Sequence, residues 1–246
     1  MPDSEKSMPA ARFFSSASIP GLRADMYHLL ALGFAEPTTE LAEGLIQVGF
    51  QMDVKAILEG LAISETAVSK IVSSLDRLTK ALTGQDPEKL CRELNIDYTH
   101  LFIGPGPAAV SPYESIHVDA EPDVPVLLMV GPAASAVLDA YREAGLSIKK
   151  GLNEPPDHIA TELEFMYYLC VQEVSAGEHG SYNEEAGWQL FQRAFFTEHL
   201  GKWGIDFCRT VQEAAETKFY NTLGLLAATF LAFEAEVVKQ ASIAIC

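Results

Sequence analysis

The chain has 246 residues, 48% of them hydrophobic, enough to bury a full core as one large domain or two closely packed lobes. Its 34 acids against 17 bases leave a formal net charge of −17, a field that repels nucleic acid and anionic lipid and favours a basic partner. Cys91, Cys170, Cys208 and Cys246 lack the C-x-x-C spacing of a metal site and fall mostly on helical patterns, which points to reduced thiols and a cytoplasmic home.

Residues 1–17 are polar and small apart from Phe13 and Phe14, a composition expected of a flexible tail, and they lack the apolar core of a secretory leader. From Pro20 the pattern is helical. Leu22, Met26, Leu29 and Leu30 form a stripe closed by Glu36-Pro37, and two shorter helices follow with Leu41, Leu45 and Val48, then Val54, Ile57 and Leu61. Ser64 is placed to cap a helix whose Val68, Ile71, Val72, Leu75, Leu78 and Leu82 recur at steps of three and four up to Gly84. Asp86-Pro87 opens the next, which carries Leu90, Leu94, Tyr98, Leu101 and Phe102 and stops at Gly104-Pro-Gly-Pro107.

Residues 104–131 have no helical period and are proline-rich, so they are expected to be a long connecting loop. A helix resumes at Pro132, with Val137, Leu138 and Tyr141, and Gly145-Leu146 provides its C-terminal cap. In the stretch Gly151–Met166, Glu154 as the cap places Pro155 and Pro156 in the first helical positions and Asp157 in the first turn. Ile159, Leu163, Met166 and Cys170 then form one buried face, with His158 and Glu162 together on another, to about Val174. Helices around Trp188–Phe196, Thr197–Ala214 and Glu216–Val238 complete the chain. The longest apolar run, Leu223–Phe233, is too short for a bilayer, so no stable membrane insertion is expected. No alternating strand pattern of useful length occurs. The prediction is all-α: a bundle of about ten helices, as a single domain over 18–246 with lobes at about 18–103 and 132–246 joined by 104–131.

Three constellations carry possible chemistry. Glu154, His158 and Glu162 could serve a helical metal-dependent hydrolase or oxidase, but the paired Glu-x-x-His elements of such bundles are missing. Gly104–Pro107 lacks the Lys and Ser/Thr of a phosphate loop, and its prolines remove the N–H donors that cradle phosphate. Ser111 and Ser115 have no nucleophile elbow, and no cysteine adjoins a histidine. The third constellation sets aromatics beside acids: Glu114, Asp157 and Glu162 suit a groove for a peptide that carries guanidinium groups next to apolar side chains.

Asp97-Tyr-Thr-His-Leu-Phe-Ile-Gly-Pro-Gly106, Pro112-Tyr-Glu-Ser-Ile116 and Glu154-Pro-Pro-Asp-His-Ile159 together resemble the TorD/DmsD group of redox-enzyme maturation chaperones. Phe196-x-x-His199-Leu200-x-x-Trp203 and Phe219-Tyr220 extend the likeness over about residues 20–235. The resemblance implies a cytoplasmic, all-helical, non-enzymatic chaperone without a cofactor of its own. Its partner would be the precursor of a molybdenum-containing oxidoreductase, held through its basic twin-arginine leader, its body, or both, until the molybdopterin cofactor is inserted before export. Monomer and homodimer both remain open. It further implies Tyr98, Leu101, Phe102, Tyr113, Glu114, Asp157 and His158 as leader-binding residues. The groove acids read from composition add Glu162. His117 departs from the pattern, where an aromatic residue such as tyrosine is expected.

Overall fold

The structure, a computed structural model, describes residues 18–104, 108–118, 131–146 and 155–243. The expected N-terminal tail, residues 105–107 and 119–130 of the connection, Glu154 and Cys246 lie outside the described residues. The described chain is all-α, and its β character is one isolated antiparallel bridge between Tyr113 and His158.

The helices follow in order as α1 (Ile19–Phe34), α2 (Thr39–Ile46), α3 (Gly49–Gly60), α4 (Glu65–Leu82) and α5 (Pro87–Tyr98), then α6 (Glu114–Val118) and α7 (Pro132–Glu143). They end with α8 (Ile159–Glu178), α9 (Tyr182–Glu198), α10 (Leu200–Ala214) and α11 (Lys218–Ile243). Local chemistry sets several of the boundaries. Ser18 Oγ accepts from the Gly21 N–H at 3.3 Å, Ser64 Oγ from Ala67 at 3.4 Å, and Asp86 Oδ1 from Lys89 at 2.9 Å. Gly145 takes φ 78° after α7, where a side chain would be strained, and lets the Leu146 N–H donate to the Tyr141 carbonyl at 2.9 Å.

Three boundaries differ from the sequence expectation. The helix expected to begin after a Glu154 cap begins at Ile159, with His158 as the N-cap, so Pro155, Pro156 and Asp157 lie before the helix rather than in its first turn. The backbone breaks at His199 (φ −127°, ψ −98°), which separates α9 from α10 instead of letting one helix start at Thr197. The end of α5 widens into a π-helical turn over Thr99–Ile103, closed by the Gly104 N–H donating to the Thr99 carbonyl at 2.7 Å.

Two helices are apolar on most sides, and the others pack around them. α8 buries Ile159, Leu163, Phe165, Met166, Tyr167, Leu169 and Cys170, with α1 along one side and α9 along another. α11 lies between α10 and α4. It comes so close to α10 that a Cβ at Gly224 would sit 2.6 Å from the Cys208 carbonyl oxygen, so that crossing requires glycine. The stretches expected as lobes share one apolar cluster, which takes Leu30, Leu75 and Leu94 from one and Leu163, Phe207 and Phe230 from the other.

The run Leu223–Phe233 proves to be part of a longer apolar helix. By length and composition alone the surrounding 23-residue span Lys218–Gln240 could cross a membrane, a test that a buried core helix also passes. Half of its window is buried inside the protein, where Phe219, Leu223, Leu226 and Phe230 fill the core.

Charge is also taken into this interior. Arg23 of α1 donates to Glu234 of α11 through Nε at 2.8 Å and Nη2 at 2.6 Å, and the Tyr27 hydroxyl donates to the same carboxylate at 2.9 Å. Arg23 also lies 3.6 Å from Glu173 of α8, whose two oxygens accept from Gln189 and Gln192 of α9 at 2.8 Å each. One cation thus joins two acids and ties four helices together.

Candidate functional site

Pro112–Ser115 runs antiparallel to Asp157–Ile159 and is pinned by two backbone bonds. The Glu114 N–H donates to the Asp157 carbonyl at 2.9 Å, and the Ile159 N–H to the Pro112 carbonyl at 2.8 Å. This seam brings together residues from two sequence motifs some forty positions apart. Asp157 Oδ2 accepts from the Ser115 N–H at 3.0 Å, which anchors the start of α6. The Ala160 N–H donates to His158 Nδ1 at 3.2 Å. That bond needs an unprotonated Nδ1, and burial lowers the His158 pKa to about 4, against a smaller opposing pull from Asp157.

Behind the seam lies an acid pocket. Glu114, Asp157 and Glu162 are all buried. His199 Nδ1 lies 3.0 and 3.2 Å from the two oxygens of Glu114, and Trp203 Nε1–H donates to Glu162 Oε2 at 3.3 Å. The Tyr141 hydroxyl donates to the Pro156 carbonyl at 2.8 Å. Its pKa is pushed well up, first by burial and then by the charges of Glu162, Asp157 and Glu114. The Glu162 carboxyl is also held well above the usual carboxylate range, by burial first and Glu114 second, with the Trp203 donor opposing. Among the described residues no donor reaches Asp157 Oδ1 or Glu162 Oε1, though the Glu162 carboxyl, when it carries a proton, hydrogen-bonds to Glu114, and no lysine or arginine forms an ion pair with the three acids.

Of the residues predicted for peptide binding, Glu114, Asp157, His158 and Glu162 meet at this pocket and are enclosed, while Tyr113 sits half-buried with its ring 5.4 Å from that of His158. Tyr98, Leu101 and Phe102 lie elsewhere. The π turn buries them in the core, where Phe102 stacks on Phe207 (centroids 5.9 Å, 26°) and meets Tyr220 edge-on at 5.8 Å. Asp97, beside them in the sequence, accepts from the Glu216 and Thr217 N–H groups at 3.2 and 2.7 Å and so caps the approach to α11.

Tyr141, His199 and Trp203 belong to the pocket but were not assigned to it from sequence. For His199 and Trp203 a signal existed, since they stand four apart in the rear motif and share a helix face. At His117, where an aromatic was expected, the imidazole takes that part, stacked on Trp203 (centroids 4.9 Å, 24°). Among the described residues no group of three or more His, Cys, Asp or Glu side chains is arranged to hold a metal ion. The thiols of Cys170 and Cys208 are buried; burial pushes Cys170 up to about 12 and Cys208 higher still, away from nucleophilic use near neutral pH.

Fold and site together define an all-α protein with a buried cluster of three acids beside His158, His199 and Trp203. A family model described as "Nitrate reductase delta subunit" matches residues 64–209, more than half of the chain. A chaperone protein TorD of Aliivibrio fischeri is 32% identical over 213 residues, which cover 85% of this chain and 91% of the relative. One from Vibrio vulnificus is 29% identical over 215 residues, with 87% and 93% covered. A solved Archaeoglobus fulgidus chain described in connection with redox enzyme maturation covers 92% of this chain and 99% of its own at 20% identity, but its TM-score of 0.49 is too low to carry weight. The chain belongs to the TorD chaperone family. It is a chaperone-family protein, not an enzyme.

Proposed function

We propose that this chain binds the twin-arginine leader of a molybdopterin-containing oxidoreductase precursor in the cytoplasm, and assists cofactor insertion before export. The supporting observation is the acid pocket: three buried carboxylates with two oxygens that no donor reaches. A guanidinium is planar and offers paired N–H donors, so it can bridge carboxylates in a way a lysine ammonium cannot. Family membership supplies the client class, and the net charge of −17 draws a basic leader toward the protein.

The pocket is closed, so admission of a leader requires the Pro112–Ser115 segment to lift from α8. Breaking the two backbone bonds of the seam costs about 1–3 kcal/mol at the usual net value per bond. Coupling energies of close charge pairs across an interface run to about 1.5–7 kcal/mol, a size that can offset that cost. Tyr98, Leu101 and Phe102 then act indirectly, by fixing the π turn and the core beneath the seam.

Calorimetry with a synthetic leader tests this reading. The Arg-Arg peptide is expected to bind at least about tenfold more tightly than its Lys-Lys counterpart, which keeps the charge and loses the fork. Equal affinities would move recognition away from the acid pocket and onto the apolar part of the leader.

A further inference from the structure

A groove beside the acid pocket is not used by it. The facing sides of α7 and α9 enclose about 530 Å3, within the range of ligand clefts. Ala140 from α7 with Phe191 and Phe195 from α9 make an apolar floor, and Leu190, 54% exposed, stands at the α9 lip. The rims carry Asp139 and Glu143 on α7 and Glu198 on α9, all exposed. Arg142 pairs with Asp139 at 2.9 Å, whereas no described lysine or arginine pairs with Glu143 or Glu198. His199 closes one end, with its Nδ1 turned to Glu114. The groove and the pocket therefore share a wall.

The chemistry of the groove selects its occupant. An apolar floor between acid rims, in a protein of net charge −17, disfavours nucleic acid, anionic lipid and acidic peptides. It suits a helix with an apolar stripe at i, i+3, i+4 and i+7 bordered by lysine or arginine, the helix-in-groove mode of recognition. We propose that the α7–α9 groove docks a basic amphipathic helix of the client protein, at a surface separate from the acid pocket. This rests on the reading of the chain as a client-binding chaperone, but not on where the leader arginines bind.

The test uses the full chain and a fluorescein-labelled synthetic helix of about 18 residues, five turns, with a leucine stripe, basic flanks and no consecutive arginine pair. A second probe carries glutamate in place of every base. By fluorescence anisotropy the basic probe should bind at least about tenfold more tightly than the acidic one. The double variant Glu143→Lys/Glu198→Lys should weaken the basic probe by at least about tenfold. Leu190→Arg, a single exposed change, should act in the same direction and serves if the double variant does not melt like the parent by circular dichroism. Asp157→Asn should leave this probe within about twofold of the parent.

Equal binding of the two probes, or no loss in the charge-reversed and Leu190→Arg chains, overturns the proposal. Loss confined to Asp157→Asn overturns it too, since the probe would then be bound in the acid pocket. The two readings fail separately. If Asp157→Asn keeps its affinity for the Arg-Arg leader while the rim variants lose the basic helix, the acid-pocket reading falls and the groove stands; the opposite pattern removes the groove and leaves the pocket.

Discussion

The protein buries carboxylates in two places and treats them differently. Around Arg23, two acids from two helices share one guanidinium, and Tyr27, Gln189 and Gln192 supply further donors to their oxygens. In the pocket behind the α6–α8 seam, three acids meet without a described lysine or arginine, and two of their oxygens are met by no donor. The first arrangement is complete within the chain and holds α1, α8, α9 and α11 in register. The second has no such guanidinium among the described residues. Its charge is relieved by keeping a proton on Glu162, as the raised pKa of that carboxyl implies, or by a cation brought from outside. Buried charge is therefore handled differently at the two sites, paired with a guanidinium at one and without one among the described residues at the other.

Removing the cation should break the complete cluster. Arg23→Met leaves Glu234 and Glu173 buried without their counter-ion and is expected to cost about 3–5 kcal/mol of stability, seen as a lower urea midpoint near neutral pH. A loss below about 1 kcal/mol would mean that this cluster, too, is slack.

The same kind of change at the other site should spare the fold and harm binding. Asp157→Asn keeps an acceptor for the Ser115 N–H and removes one carboxylate from a crowded acid cluster, so stability should move by no more than about 1 kcal/mol. Affinity for the Arg-Arg leader should fall by roughly 2–5 kcal/mol in calorimetry, while Asp206→Asn, an exposed change on α10, should leave it unaltered. Global unfolding of the Asp157→Asn chain would instead make the pocket an ordinary structural device.

A pH series sharpens the contrast. The folded pKa of Glu162 lies above the usual carboxyl value, so its contribution is fully present below that value and is lost as pH rises through the folded pKa. Unfolding free energies measured between about pH 5 and about pH 8 should thus show the parent losing stability relative to Glu162→Gln as pH increases. A guanidinium in the pocket favours the ionised carboxyl, so leader binding should release a proton and strengthen with rising pH. Parallel stability profiles for parent and variant would show that Glu162 is not the group holding the proton. The smallest effect is expected at an exposed acid: Asp86→Ala removes the cap of α5 and should cost about 1 kcal/mol in thermal or urea unfolding, with leader binding unchanged.

Most helices were legible because burial of one face imposes a spacing of three and four, as in Ile71, Leu75, Leu78 and Leu82 of α4. Caps were legible where the capping side chain lies three residues from the N–H it serves, as at Ser64 and Asp86. The start of α8 was misread for a definite reason. Prolines suit a first helical turn, but Asp157 is drawn out of that turn by its bonds to Ser115 and Glu114 across the seam. The π turn at Thr99–Ile103 was likewise invisible, since its effect is to place Leu101 and Phe102 against Phe207 and Tyr220 from distant helices.

The same division runs through the site. The motifs around Asp97, Pro112, Glu154 and His199 led to the family, and the charge indicated a basic partner, because both are properties of composition and short spacing. Folding alone decided that Glu114 faces His199, 85 positions away, and that Arg23 neutralises Glu234 while no described lysine or arginine pairs with the pocket acids. Periodicity records that a face is buried but not what it is buried against. Whether a carboxylate is anchored, protonated or open to a guanidinium depends on desolvation and on donors from other helices, which only the packed tertiary structure brings within hydrogen-bonding distance.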